Sequence, residues 1–294
     1  MREPGFTVSQ SSRHTRVSRE IAGDTQWELA MRTPALPLAP LVRELQGYVE
    51  VTPAPLKRRQ FPGPQVVVII ELGPTIRVYD SGQEHTFARH AGGFVAGPDD
   101  AFTQTEHLGL QTGIQLNLQP LAARRLFGVP LSELRGRIVQ LTDLLPCAWR
   151  DLSDRLRDLP TWAARFDLVE TLLRSQLSEA DESSPAVAWT LEKLAAAGGT
   201  LDLRDLTREL GYSHKHLIAL FHDQVGMPPK LWMRLLRFDR LRDEMQRRRD
   251  RSWAELAVLC GYYDQAHLAR DVRQFAGCTP SRLRSLMTNE PETP

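Results

Sequence analysis

Within six residues, Gln265, His267 and Arg270 set out a carboxamide, an imidazole and a guanidinium, with Ala266, Leu268 and Ala269 between them. A carboxamide and a guanidinium are flat, and each can form two parallel hydrogen bonds to the edge of a heterocycle: Arg to guanine N7 and O6, Gln to adenine N7 and N6. The matching stretch fifty-one positions earlier offers His214, Lys215, Ile218 and Ala219. That set is poorer in two-pronged donors and suits contact with phosphates and thymine methyl groups. The base-reading residues are therefore expected to be Gln265, Ala266, His267, Ala269 and Arg270 together with His214, Lys215, Ile218 and Ala219, the later stretch discriminating more strongly. Arg234, Arg237, Arg282 and Arg284 are expected to meet phosphates, which position a reader without specifying sequence. Asp271 is expected to add an acid beside the reading surface.

Competing chemistries find less support. His85, His90 and His107 could suggest a metal site, but they lack a close His-x-His followed by Glu, so no metal is expected. Cys147, Cys260 and Cys278 are far apart and odd in number, which argues for packed thiols rather than disulfides or a four-cysteine zinc site. Cys147, in LLPCAW, invites comparison with methyl-accepting DNA-repair proteins, but no cysteine precedes it to build the cluster that chemistry needs. Gly73-Pro74 and Gly97-Pro98 read as turns, because no Gly-rich run leads into a Lys-Ser/Thr pair. Residues 1–180 hold no paired acid and base and no nucleophile triad, so neither catalysis nor a cofactor is expected; the alternative is a cupin-like enzyme carrying an accessory DNA-binding module.

The elements that must carry the reading residues are legible as a duplication. Leu203–Pro229 and Trp253–Pro280 repeat one device: Leu206, Gly211 and Tyr212 match Leu256, Gly261 and Tyr262 at an offset of 50, and Leu217, Phe221, Gly226 and Pro229 match Leu268, Val272, Gly277 and Pro280 at 51. Each copy opens with a capped helix, Ser252 with Glu255 forming a capping-box pattern and Asp202 with Asp205 a weaker one. Gly211 and Gly261 end those helices in the left-handed conformation. Ser213 and Asp264 then cap a second helix whose polar N-terminal face is free to enter a major groove. This is a helix-turn-helix, twice. Leu231, Leu235, Phe238, Leu241 and Met245 predict one helix joining the copies, which two readers on one face of B-DNA need to sit about 34 Å apart. Between Gly211 and Met287 fourteen Lys and Arg face eight Asp and Glu, although the whole chain carries only +1, and that local excess favours a polyanion. Arg247–Arg249 is read as a solvated helix end.

The whole chain of 294 residues, 41% hydrophobic and 25% charged, has the make-up of globular proteins and length for about two domains. No apolar run approaches a membrane span, and no secretory h-region is seen near the N-terminus, so no membrane and a cytoplasmic location are expected. Residues 1–30, rich in Ser, Thr and Arg, read as a mobile tail; Leu38–Val51 reads as a short helix among prolines. Strands are predicted at Gln65–Leu72, Thr75–Tyr79, Gly93–Ala96 and Thr112–Leu118. Helices are predicted at Leu121–Phe127, Leu131–Ile138, Ala148–Leu159 and Ala163–Leu177. SEADESSP, Ser178–Pro185, is linker-like. The expected organisation is a tail (1–30), an α+β sensor or dimerisation domain with a small β-barrel or sandwich followed by helices (31–180), a linker (181–190), an all-α double helix-turn-helix domain (191–287) and a tail (288–294).

The duplicated Gly-Tyr turns and the run GYYDQAHLARDVRQFAGCTPSRLR, Gly261–Arg284, resemble the DNA-binding module of the AraC/XylS family of bacterial transcription regulators over roughly Leu191–Met287. More distantly, GGFVAGP (Gly92–Pro98) and GIQLNLQPLAARRLFGVPLSEL (Gly113–Leu134) are similar to an uncharacterised sensor-like domain found in some of these regulators, which implies a cupin-like β-domain serving effector binding or dimerisation. The resemblance implies sequence-specific binding of double-stranded DNA. Further expected partners are a small-molecule effector of unknown identity, RNA polymerase and a second copy of the chain.

Overall fold

The computed structural model describes residues 9–11, 15–79, 87–145, 149–178 and 184–289. His85, Cys147, residues 1–8 of the expected tail, residues 179–183 of the expected linker and residues 290–294 lie outside them. Among the described residues the N-terminal half holds twelve strands: β1 (Ser9–Ser11), β2 (Thr15–Ala22), β3 (Thr25–Arg32), β4 (Val42–Val51), β5 (Leu56–Gln60), β6 (Val66–Glu71), β7 (Arg77–Tyr79), β8 (Phe87–Ala88), β9 (Gly93–Ala96), β10 (Thr103–His107), β11 (Leu110–Leu118) and β12 (Ile138–Gln140). They form an eight-stranded sheet in the order β1-β2-β3-β4-β11-β6-β9-β12 and a four-stranded sheet in the order β5-β10-β7-β8.

Alternation along the strands gives the large sheet two different faces. Leu45, Val66, Val68, Ile70, Ile114, Leu116 and Leu118 point to one side and pack on helices α1 (Pro120–Phe127), α2 (Leu131–Leu134), α3 (Leu141–Leu144), α4 (Leu152–Arg157) and α5 (Trp162–Ser178) through Leu126, Leu131, Leu152 and Phe166. The opposite side of β4 and β11 pairs Glu44 with Asn117, Gln46 with Gln115 and Glu50 with Gln111 across the ladder.

Four expectations change. Residues 15–30 are strands rather than tail: β2 pairs with β3, and β3, with Trp27 and Leu29, is registered against β4. Leu38–Val51 is not a helix; Glu44, Gln46 and Glu50 face the interior between the sheets and so imitate the polar stripe of an amphipathic helix. The helix expected at Leu131–Ile138 stops at Leu134, and Ile138–Gln140 pairs with β9. The expected 181–190 linker ends early, because Pro185 opens α6 (Pro185–Ala196), a position where a missing N–H costs nothing.

From Pro185 onward the described chain is helical, as the composition predicts: α7 (Leu203–Leu210), α8 (His214–Val225), α9 (Pro229–Arg247), α10 (Trp253–Leu259), α11 (Gln265–Ala276) and α12 (Pro280–Asn289). One core joins them, centred on Phe221, Phe238 and Phe275, with Trp232, Leu235 and Leu241 from α9 at its middle.

Candidate nucleic-acid interface

Both helix-turn-helix units are built by the caps that the sequence advertises. Asp202 accepts from the Arg204 amide at the start of α7, and Ser252 and Glu255 complete a capping box on α10. Gly211 and Gly261 carry φ values of 67° and 74°, turning the chain with no Cβ penalty. Ser213 then accepts from the His216 amide and Asp264 from the His267 amide, launching α8 and α11. Leu217 and Phe221 on α8, and Leu268 and Val272 on α11, bury the inner faces. The polar side is left outward: His214, Lys215 and Ala219, and Gln265, Ala266 and Arg270, are exposed, while Ile218, His267 and Ala269 are half-buried. The nineteen-residue α9 spans roughly 28 Å and connects the two units without a break.

The arginines expected on phosphates divide. Arg282 is exposed. Arg234 instead turns inward: its Nε and Nη2 donate to Asp271 Oδ1 at 2.9 and 2.7 Å, and its Nη2 donates to Gln274 Oε1 at 2.6 Å. Asp271 is correspondingly buried, so it is an anchor beneath α11 rather than an acid on the reading face. Arg237 donates from Nη1 to the Gly199 carbonyl at 2.6 Å and lies over the Tyr262 ring, bracing both units against α9. Arg284 donates to the Arg251 carbonyl at 2.8 Å and stacks on Trp253. The periodicity that sets these arginines among apolar residues hid this, because a guanidinium can cover a ring and still bond a carbonyl.

A helix-turn-helix domain model of the AraC type matches residues 206–285. The chain carries an AraC-type DNA-binding domain. It is a DNA-binding transcription regulator. Residues 31–140 match a domain of unknown function, DUF6597, and no curated protein matches the chain. Among solved structures, ToxT from Vibrio cholerae is similar at 8% identity over 80% of this chain and 100% of that one, with a TM-score of 0.46. An unsaturated fatty acid-bound wild-type ToxT from V. cholerae strain SCE256 is similar at 8% identity over 82% and 99%, also at 0.46. Hydroxypropylphosphonic acid epoxidase from S. wedmorenis is similar at 6% identity over 38% and 55%, at 0.19. These are faint likenesses of outline.

Within the AraC-type domain, sequence reading passed over Tyr263. The Gly-Tyr turn ends at Tyr262, which is 4% exposed, while Tyr263 is 93% exposed at the threshold of α11, beside Gln265. Two adjacent tyrosines look alike in sequence; only the capped turn decides which ring points out. Cys260 is buried, and burial pushes its thiol up to about 11, as a packed thiol requires.

In front of the AraC-type domain, the two sheets enclose a cavity of about 630 Å³. On the eight-stranded sheet its lining passes from polar, with Gln46, Tyr48, Gln115 and Asn117 on β4 and β11, to apolar, with Val67, Ile69 and Phe94 on β6 and β9, and Val78 of the four-stranded sheet faces them. Asp239, Arg242 and Gln246 of α9 contribute to its boundary. Glu50 and Arg58 form a buried two-pronged pair at 2.5 Å, and His107 Nε2 lies 3.3 Å from Glu50. Burial pushes the Glu50 carboxyl up, but bonds from His107, Arg58 and Gln111 outweigh it and hold it at about 2. Glu71, buried with one oxygen bonded to the Ile76 amide, is pushed by burial up to about 7. His90 lies apart from His107, against Phe94. Among the described residues no group of three or more His, Cys, Asp or Glu is placed to hold a metal.

Proposed function

We propose that this regulator is a one-component sensor. Residues 184–289 read DNA, with Gln265 and Arg270 carrying most of the base discrimination, His214, Lys215 and His267 assisting, and Tyr263 and Arg282 meeting the backbone. Residues 15–178 bind a small effector between the two sheets. The observation that carries the reading half is the outward placement of two capped N-terminal turns of matching design, each bearing polar or basic side chains. The sensing half rests on the cavity between the sheets and its lining, polar on β4 and β11 and apolar on β6 and β9.

Around the cavity Glu50 pairs with Arg58 and Asp239 with Arg43 and Arg242, and the carboxamides of Gln46, Gln115 and Asn117 with the Tyr48 hydroxyl are the neutral recognition groups on its polar side. The ligand that suits these walls is an uncharged molecule with a hydrogen-bonding edge and an apolar face. Selection of genomic fragments bound by the full chain, followed by thermal shift against a panel of neutral metabolites, tests both halves. Recovery of random fragments would overturn the first. Absence of any ligand-induced rise in Tm would overturn the second.

A further inference from the structure

We propose that the segment Gly97–Thr103 is the element through which an occupant of the cavity sets the mutual orientation of the two recognition helices. The inference rests on the effector reading of the cavity and adds to it the route of regulation.

Covalent connection comes first. The segment joins β9 of the eight-stranded sheet to β10 of the four-stranded sheet, so it is a strap between the two sheets that border the cavity. Its residues then alternate. Gly97, Asp99, Ala101 and Thr103 line the cavity. Pro98, Asp100 and Phe102 meet the DNA-binding helices instead.

The contacts they make fall on equivalent positions of the duplicated unit. Gly226, which ends α8, lies so close to Pro98 and the Leu131 carbonyl that an added Cβ would collide with both. Gly277, which ends α11, lies equally close to the Phe102 ring. These two glycines are partners in the repeat, fifty-one residues apart. The same holds one turn earlier: Asp223 on α8 pairs with Arg124 at 3.0 Å, and Gln274 on α11 donates to Asp100 at 2.8 Å. Arg59 of β5 seals the second contact, stacking on Phe102 and donating to the Ala276 carbonyl at 3.0 Å. The strap is itself pinned, with the Gly97 amide on the Arg137 carbonyl at 3.0 Å and the Gly136 amide on the Pro98 carbonyl at 2.9 Å.

From Pro98 to Phe102 an extended chain reaches at most roughly 14 Å. One short piece of backbone therefore touches the C-terminal ends of both readers while leaving their N-terminal turns open. Separation of the sheets by a bound molecule would move both contacts together, altering the spacing and tilt that two sites on one DNA face require.

The test uses the full chain and a tethered surrogate for the ligand. Gln115→Trp fills the cavity from β11, and Val67→Phe fills it from the neighbouring strand β6 if the first variant folds poorly. Hydrogen exchange is followed in peptides covering residues 222–228 and 273–279. The expected result is a change of at least twofold in exchange rate at both stretches together, lost when Pro98→Ala and Phe102→Ala are added. A response at only one stretch, a response that survives in the Pro98→Ala/Phe102→Ala background, or no response in a folded cavity-filled variant would each overturn the proposal. Because the surrogate is part of the chain, failure of every metabolite to raise Tm would sink the effector reading without touching this result.

Discussion

In the first helix-turn-helix unit Tyr212 is 36% exposed and meets His216 edge-on; in the second the matching Tyr262 is 4% exposed, packed on His267 under the Arg237 guanidinium. The difference continues inward. Asp271 in α11 is buried and doubly bonded to Arg234 of the connector, while the equivalent residue of α8 is Leu220, half-buried against the shared core. The second reader thus has an anchor on the connector in addition to its contacts with Asp100, Phe102 and Arg59 of the β-rich half. The first leans on helices α1 and α2 of the β-rich half, through Arg124 with Asp223 and Leu131 with Gly226. Duplication preserved the reading geometry and left the two copies with different supports. Both copies meet the β-rich half at the ends of their recognition helices, and only the second carries a buried ion pair to the connector.

The sharpest way to break this contrast is Asp271→Ala. It leaves the Arg234 guanidinium without its buried partner and should lower stability by about 3 kcal/mol, whereas Leu220→Ala should cost about 1 kcal/mol for trimming a half-buried side chain. Urea midpoints at unchanged m-value measure both. Equal losses would mean that the two copies are held alike.

The β-rich half carries its own pH signature at Glu71. Its folded pKa, about 7, lies above the ordinary carboxylate value. Below that ordinary value both states are protonated and nothing changes; as pH rises toward 7 the unfolded chain releases its proton first, stability falls, and the deficit is complete above 7. Glu71→Gln removes the deficit, on the order of 2 kcal/mol. The Tm difference between variant and parent should be near zero at pH 4 and widest at pH 8. A gap that narrows with rising pH would contradict the burial argument.

How much of this was readable beforehand depended on whether a residue's neighbours were near it in sequence. The caps Ser213, Asp264 and Ser252 and the turns at Gly211 and Gly261 act within a few residues, and the sequence pattern located each. The fates of Arg234, Arg237 and Arg284 depend on partners thirty or more residues away, and each was expected on DNA but bonds protein instead. β4 was misread for a related reason. Its polar residues face a cavity made by a second sheet, and period-two patterning signals a strand only when one of its faces meets water. The strands at 15–32 carry too little apolar character on their own, and pairing with β4 supplies what the local sequence lacks.

Base reading offers the next comparison. Arg270→Ala should cost about 1–3 kcal/mol of binding on the selected site, concentrated at one base pair, because the lost side chain can grip guanine with two hydrogen bonds. The measurement is binding to the selected duplex and to each single-base variant of it. A uniform loss across all duplexes, including random DNA, would move Arg270 from reading to positioning.

The smallest effect belongs to Lys215, the exposed cation of the first reading turn. An ammonium is a point charge that satisfies a phosphate equally well on any sequence, so Lys215→Ala should weaken specific and random duplexes by the same factor. Removing one phosphate contact should also reduce the slope of log K against log salt by about one. Titrations at several salt concentrations, run on the selected site and on random DNA, separate this from readout. If Lys215→Ala changed the preferred base and left the salt slope alone, the first copy would be reading sequence as the second does, and the division of labour between the copies would fail.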